Sequence, residues 1–379
     1  MDKYNIVFIK TENGEKEMLG RRAEDYVLRE FADFSAKKCR IAKTEAYKEE
    51  NALLDGCVNV VLTLDMPLVK KKDIETLVRQ MKQKNISLIR LGAKDSLAKI
   101  CIGKGVDEGV FCKQDAFLKI GDAKSYNIVY NLLKDEILDG LLHRGVQIID
   151  KATTFVDDTV NVESGVIIKP FCTIEGESTI LNGSTVFASY IRDSVIDGAD
   201  VSCSHVICSH VRTRANVGPF ARLRHAVVDE GCRVGDFVEV KASRLREGVK
   251  CAHLSYVGDA DVGERTNVGC GTVFCNYDGH QKHKTTVGAE CFLGANTNLV
   301  APLVVGDHAF IAAGATSRTA RLQSDECDKT PNPNKTDNRQ TEQKQCARIC
   351  KISIAQDNSS GEKSSKGRRK VVEKHAKNM

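Results

Sequence analysis

The chain has 379 residues, 41% of them hydrophobic, with 56 Lys and Arg against 51 Asp and Glu and a formal net charge of +5. That length leaves room for two domains, and a charge so near balance argues against a global nucleic-acid or anionic-membrane surface. No run of about 18 apolar residues offers a membrane-spanning helix, and the opening Met1-Asp2-Lys3-Tyr4-Asn5 lacks the hydrophobic core of a signal peptide, so a soluble cytoplasmic protein is expected.

Residues 4–9 read as a strand, 24–34 as a helix, 58–64 as a buried strand and 73–81 as a helix. That alternation predicts a small α/β domain over 1–147. Residues 127–144 are predicted as a long helix connecting this domain to the rest of the chain.

From about residue 150 an apolar residue recurs every sixth position, at Val156, Val162, Ile168, Ile174, Ile180 and Val186, and again at Val287, Leu293, Leu299, Val305 and Ile311. Neither a helix nor an ordinary strand has that period. It is the signature of a β-solenoid of hexapeptide repeats over 148–320, each short strand burying one apolar side chain before a corner. Small residues follow many of these positions, as in Val217-Gly218, Val262-Gly263 and Leu293-Gly294, and glycine tolerates tight corners. Ile191, Ile196, Val201, Val206 and Val211 step by five, a shortening the corners absorb, and His205 and His210 share that step, which predicts that they stack on one face. Residues 275–284 have almost no apolar character and are predicted as a loop thrown out from a corner, where chemistry commonly sits. The fifteen cysteines are scattered without a CxxC pair and are read as reduced structural thiols, with Cys270, Cys275 and Cys291 packing as small soft hydrophobes. The segment 321–379, rich in Asn, Lys, Pro, Gln and Ser and basic at its end, cannot bury enough apolar surface to offset its ordering entropy and is expected to be disordered.

Interrupting the repeats in order are Phe220-Ala221-Arg222-Leu223-Arg224, Gly235-Asp236-Phe237-Val238-Glu239-Val240-Lys241, His253-Leu254-Ser255-Tyr256-Val257-Gly258-Asp259-Ala260, Asn267-Val268-Gly269-Cys270-Gly271-Thr272, Cys275-Asn276-Tyr277-Asp278-Gly279 and Leu299-Val300-Ala301-Pro302. Over roughly residues 148–318 this set closely resembles the acetyltransferase half of the bacterial bifunctional UDP-N-acetylglucosamine pyrophosphorylase / glucosamine-1-phosphate N-acetyltransferase. The resemblance implies an α/β N-terminal remnant followed by a left-handed parallel β-helix, assembled as a homotrimer with active sites between subunits. It implies transfer of an acetyl group from acetyl-CoA to glucosamine 1-phosphate, a step in UDP-N-acetylglucosamine and cell-wall biosynthesis, with no nucleic-acid or membrane partner.

Carried over residue by residue, the resemblance makes His253 the catalytic base. An amine must be uncharged to attack a thioester, and a base of pKa about 6.5 suits that task at neutral pH. Arg224, as a bidentate fork, and Lys241, as a point charge, match positions that bind the sugar phosphate, and Tyr256 and Asn267 match sugar-binding positions. Asn276 and Tyr277 match positions that line acetyl-CoA, with Cys270, Ala295 and Ala313 at small-residue positions beside it. Cys270 stands where Ala is usual and Ala295 where Ser is usual. No counterpart of the family's terminal CoA-contacting Arg segment is present in 318–335.

The first domain is shorter than its counterpart in the family, and strand 4–9 runs into Lys10-Thr11-Glu12-Asn13-Gly14-Glu15-Lys16 where a Gly-rich phosphate loop is usual. Asp65, after the strand 58–64, resembles a Mg²⁺-binding carboxylate. One carboxylate does not make a metal–nucleotide site, so Asp65 reads as vestigial, and Mg²⁺ enters only if this domain keeps uridylyltransferase activity. The alternatives to the acetyl transfer above are acetylation of another amino acceptor, a residual bifunctional enzyme, and a non-catalytic trimeric scaffold.

Overall fold

The computed structural model describes residues 3–34, 36–43, 47–94, 96–103, 109–318 and 321–322. The chain divides into two compact units, Met1–Arg224 and His225–Met379.

The first unit begins with a mixed six-stranded sheet in the order Ala36–Lys43, Tyr4–Lys10, Val58–Thr63, Lys99–Ile102, Leu88–Leu91 and Val110–Cys112. The first three are parallel, whereas Lys99–Ile102 runs antiparallel to both of its neighbours. Val58–Thr63 is buried at all six positions, as expected of a strand covered on both faces. The helix expected over 73–81 runs Lys71–Lys84 and buries Ile74, Leu77, Val78 and Met81, a stripe at helical spacing. It stops where Asn85 turns left-handed (φ 55°). The helix expected over 24–34 is Ala23–Glu30. It ends early because Phe31 is drawn into the core against Phe8, while Phe34 packs edge-on to Tyr4 at 4.8 Å. The long helix, Ala123–His143, starts four residues before the expected position because Asp122 and Ser125 cap it reciprocally. The Ser125 N–H donates to Asp122 Oδ1 (2.7 Å), and the Asp122 N–H donates to Ser125 Oγ (2.9 Å).

The rest of the first unit is coiled. In one ladder of parallel strands Val156, Ile174, Ile191, Val206 and Leu223 lie in register. A second holds Val162, Ile180, Ile196 and Val211, and a third holds Ile148, Ile168, Val186, Val201 and Val217. All but Ile148 are buried. Three sides thus enclose an aliphatic core one side chain wide, with one inward aliphatic residue per strand as the period of six requires. Where the sequence steps by six, register partners are eighteen apart (Val156 and Ile174). Where it steps by five they are fifteen apart (Ile191 and Val206). The shortened corners place Ala188, Asp193, Cys203 and Cys208 in left-handed backbone. Buried serines brace them: Ser194 Oγ accepts from the Ser209 N–H (3.0 Å) and donates to the Arg192 carbonyl (2.7 Å).

His205 and His210 do not stack. They belong to different ladders, His205 in register with Tyr190 and Arg222, His210 with Val195. In a three-sided coil one step moves to the next side, so residues five apart occupy adjacent sides, and the residue above His205 is a whole coil away.

The second unit continues the same construction. Val240 and Val257 are in register, as are Phe274 and Leu299; a second ladder stacks Val228, Leu245, Val262, Val287 and Val305, and a third Val234, Cys251, Val268, Leu293 and Ile311. Between Val262 and Val287 the coil is twenty-five residues long rather than eighteen. The excess is the expected loop, which leaves the strand Val273–Cys275, folds back through an antiparallel bridge between Tyr277 and Lys282, and rejoins at Thr285–Val287. Of the three cysteines expected to pack as hydrophobes, Cys291 is buried, Cys275 half-buried and Cys270 exposed. Cys270 faces outward because it lies past the end of the strand Asn267–Val268, in the turn that follows Gly269. Cys57, Cys101, Cys112, Cys172, Cys203, Cys208, Cys232, Cys251, Cys270, Cys275 and Cys291 are all free thiols. The disorder expected over 321–379 falls outside the described residues, apart from the short strand Arg321–Leu322. Among the described residues no helix is long and apolar enough to cross a membrane.

Candidate active site

His253 ends the strand Lys250–His253 and lies in register with Asp236 of the strand Arg233–Asp236. Its Nδ1 is 3.4 Å from Asp236 Oδ2. That is an electrostatic contact, longer than a good hydrogen bond, and it turns Nδ1 to the carboxylate and leaves Nε2 as the free ring nitrogen. The imidazole is 54% exposed, so it is accessible to a substrate rather than packed in the core. The corner beyond it is fixed by buried Ser255, whose hydroxyl donates to the carbonyls of His253 (2.8 Å) and Gly269 (3.2 Å).

After that corner, Lys241 and Asn276 converge on one carboxylate that the sequence reading left without a role, and Tyr256 touches the Asn276 amide. Asp259 accepts from Lys241 Nζ at 3.2 Å and from the amide nitrogen of Asn276, whose Nδ2 also lies 3.4 Å from the Tyr256 hydroxyl. Gly258 makes room for this packing: a Cβ there would fall 2.5 Å from the Tyr256 hydroxyl oxygen and 2.7 Å from Asn276 Nδ2. Asn276 is 7% exposed, whereas Tyr277 is exposed and donates its hydroxyl to the Gly279 carbonyl at 2.7 Å. The two residues assigned together to the cofactor therefore have different environments, one at the Asp259 cluster and one on the loop.

The loop is pinned by Asp278, which accepts from the backbone N–H groups of Gln281 (2.7 Å) and His280 (2.8 Å) and contacts His283 Nε2 at 2.6 Å. The Gln281 backbone hydrogen bond, the His283 ring and the His280 N–H hold its carboxyl well below the usual carboxylate range.

Cys270, Ala295 and Ala313 occupy equivalent corners of successive coils. The Asn296 N–H donates to the Cys270 carbonyl (2.7 Å) and the Gly314 N–H to the Ala295 carbonyl (2.8 Å). The expected column of small residues exists, half-buried at Ala295 and exposed at its ends. Asn267 is half-buried in register between Lys250 and Phe292. It shares a ladder with the His253 strand but stands three positions back along it, outside the Asp259 cluster. Arg224 ends the strand Arg222–Arg224 of the first unit and is half-buried.

In the first unit, Asp65 follows Val58–Thr63, is 7% exposed and has an Oδ1 without a hydrogen-bond partner. Residues Glu12–Glu15, where a phosphate loop is usual, form a single 3₁₀ turn. No group of three or more His, Cys, Asp and Glu able to hold a metal occurs among the described residues. A lone carboxylate does not fit a Mg²⁺–nucleotide complex, so Asp65 supports no metal-assisted step.

Two features escaped the sequence reading, Asp236 and Asp259. Coil length would have found both, since adjacent coils here are seventeen residues apart (Arg233 and Lys250, Lys241 and Gly258). That offset sets Asp236 against His253 and Lys241 beside the 258–259 corner.

Three ladders of short parallel strands around an aliphatic column, with an accessible imidazole at one corner, define a hexapeptide-repeat parallel β-helix. No protein-family model matches the chain. It is 43% identical over 188 residues to Bifunctional protein GlmU of Clostridium novyi, covering 49% of this chain and 41% of that protein. It is 33% identical over 254 residues to the Thermodesulfovibrio yellowstonii protein of the same name, covering 65% of this chain and 56% of the other. Over about half its length the chain is thus homologous to these proteins, and it spans roughly half of theirs. Among solved structures, a UDP-N-acetylglucosamine acyltransferase of Francisella novicida aligns over 45% of this chain and 62% of its own at 15% identity, with a TM-score of 0.22. At that score the likeness carries no argument, and the fold rests on the strand ladders above.

Proposed function

We propose that the repeat domain over 148–320 carries an acetyl-CoA-dependent N-acetyltransferase acting on glucosamine 1-phosphate, in UDP-N-acetylglucosamine biosynthesis. The observation that carries the reading is His253, accessible and turned by Asp236 so that Nε2 is free to accept a proton. The homology to GlmU proteins over about half of the chain supports it. In this mechanism the neutral amine attacks the thioester carbonyl, the N–C bond forms, and Nε2 of His253 takes the amine proton. The C–S bond then breaks, and the proton passes to the CoA thiolate. Lys241 is assigned the acceptor phosphate, Tyr256 and Asn267 the sugar, and Asn276 and Tyr277 the acyl donor, which runs along Cys270, Ala295 and Ala313.

We assign the active form as a homotrimer. Phe237 and Leu254, next to Asp236 and His253, are 62% and 61% exposed in left-handed backbone, so an apolar ridge borders the imidazole.

The test is release of free CoA from acetyl-CoA and glucosamine 1-phosphate by the purified full chain. His253→Ala should slow turnover by about 10²–10⁴, the usual worth of a general base; full turnover by that variant discards the mechanism. Lys241→Met should raise KM for the phosphorylated acceptor while leaving an unphosphorylated amino sugar nearly unaffected. Equal effects on both would favour a different acceptor.

A further inference from the structure

Resting on the acetyl-transfer reading, we infer that Asp259 is a positioning residue that locks the acceptor-binding and donor-binding halves of the site together. Its backbone is held from two sides. The Asp259 N–H donates to the Lys241 carbonyl (3.0 Å), and the Asp259 carbonyl accepts from the N–H of Thr285, at the far end of the loop that begins with Asn276 (3.2 Å). The residue sits in left-handed backbone, φ 50°, which fixes the direction in which its side chain leaves the corner. Its carboxylate then reaches Lys241 Nζ with both oxygens, at 3.2 and 3.4 Å, and the amide of buried Asn276 with Oδ2. Lys241 and Asp259 side chains are only 18% and 23% exposed, so the pair is partly shielded from solvent screening.

Charge and geometry have two consequences. The ammonium that meets the acceptor phosphate is already neutralised, so Asp259 orders Lys241 at the expense of its attraction for an anion. The same carboxylate fixes Asn276, and hence the loop start, against Lys241. Loss of that register displaces donor and acceptor relative to each other, where about 1 Å of misplacement can cost 10²-fold in rate. Asp259→Asn keeps the shape and removes the charge. It should lower kcat by about 10- to 100-fold while KM for glucosamine 1-phosphate stays level or falls, a split that general destabilisation does not produce.

A second readout needs no turnover. In brief acetic anhydride labelling followed by mass spectrometry, Lys241 of the parent protein should be protected relative to exposed lysines. Asp259→Asn should label there several-fold faster, with faster backbone amide exchange over 276–284. Unchanged kcat, or unchanged Lys241 labelling and loop exchange, overturns this inference alone. Absence of acetyl transfer by the parent protein overturns the functional reading, and this one with it. A variant that loses thermal stability and raises KM as it lowers kcat also counts against a positioning role.

Discussion

Cys251 stacks in register between Val234 and Val268, and burial pushes its thiol up to about 12. Cys232, also buried, rises to about 11 for the same reason. The thiolate is the reactive form, so both are inert in the folded protein. Cys270 is exposed at the corner assigned to acetyl-CoA. With a disulfide reagent at pH 8 and peptide mapping, Cys270 should be modified well before Cys232 and Cys251, which should react only on unfolding. Acetyl-CoA should slow the Cys270 reaction. Comparable rates at Cys251 and Cys270 would contradict the inward and outward assignments. This pair also marks what one residue's sequence reveals. The period fixed Val268 as inward, and its neighbour one residue past Gly269 followed the turn rather than its own hydrophobicity. Chemical type alone pointed Cys270 the wrong way. The motifs that carry His253, Lys241, Tyr256 and Asn276 stand out in the sequence because they interrupt the repeats. Asp236 and Asp259 needed the coil length as a ruler.

At the scale of elements, a carboxylate fastens the start of the coil to the α/β sheet domain within the first unit. Asp158 accepts from Arg21 Nε at 2.5 Å and from both terminal nitrogens of Arg29, and its N–H donates to the Leu19 carbonyl at 3.0 Å. Burial alone would raise its carboxyl, yet the hydrogen bonds from Arg29 and Arg21 hold it below the usual carboxylate range. A lowered folded-state pKa means that the contribution is complete above the unfolded value of about 4 and is lost as pH falls through the folded value. Asp158→Asn should therefore cost about 1–2 kcal/mol of stability by urea unfolding at neutral pH, allowing for arginines that are 33% and 51% exposed. The gap to the parent should be flat from pH 8 to 5 and close below about 4. A gap that widens in acid refutes the clamp. None of this contact was readable beforehand, because it joins residues more than a hundred positions apart. The amphipathic helix Lys71–Lys84 and the fully apolar strand Val58–Thr63 were readable, each carrying its period locally. Strands such as Leu88–Leu91 and Val110–Cys112 are too short to show one, and their pairing is decided by the sheet.

For the molecule as a whole, the coil of each unit satisfies its inward positions with aliphatic side chains and turns many of its corners through left-handed backbone. That conformation costs an L-residue about 1–2 kcal/mol and is uncommon for a bulky one. Yet Phe171 and Phe220 in the first unit, and Phe237 and Leu254 in the second, adopt it at corners where 66%, 57%, 62% and 61% of their surface is open in the single chain. Glycine or asparagine would meet the backbone demand more cheaply, as Gly271 and Asn296 do at later corners. Large apolar groups at these corners make physical sense if another surface buries them, since covering each restores about 1.5–3 kcal/mol. Copies of the same chain meeting along Phe237 and Leu254 would cover them and bring a second chain up to His253, which is what the proposed trimer requires. Sedimentation of the full chain should give about three times 41.6 kDa. The double change Phe237→Asp and Leu254→Asp should reduce that to a single chain and abolish acetyl transfer while leaving the strand content by circular dichroism in place. A parent protein that sediments as one chain and still transfers acetyl groups at full rate would remove the trimer from the mechanism and leave the exposed ridge unexplained.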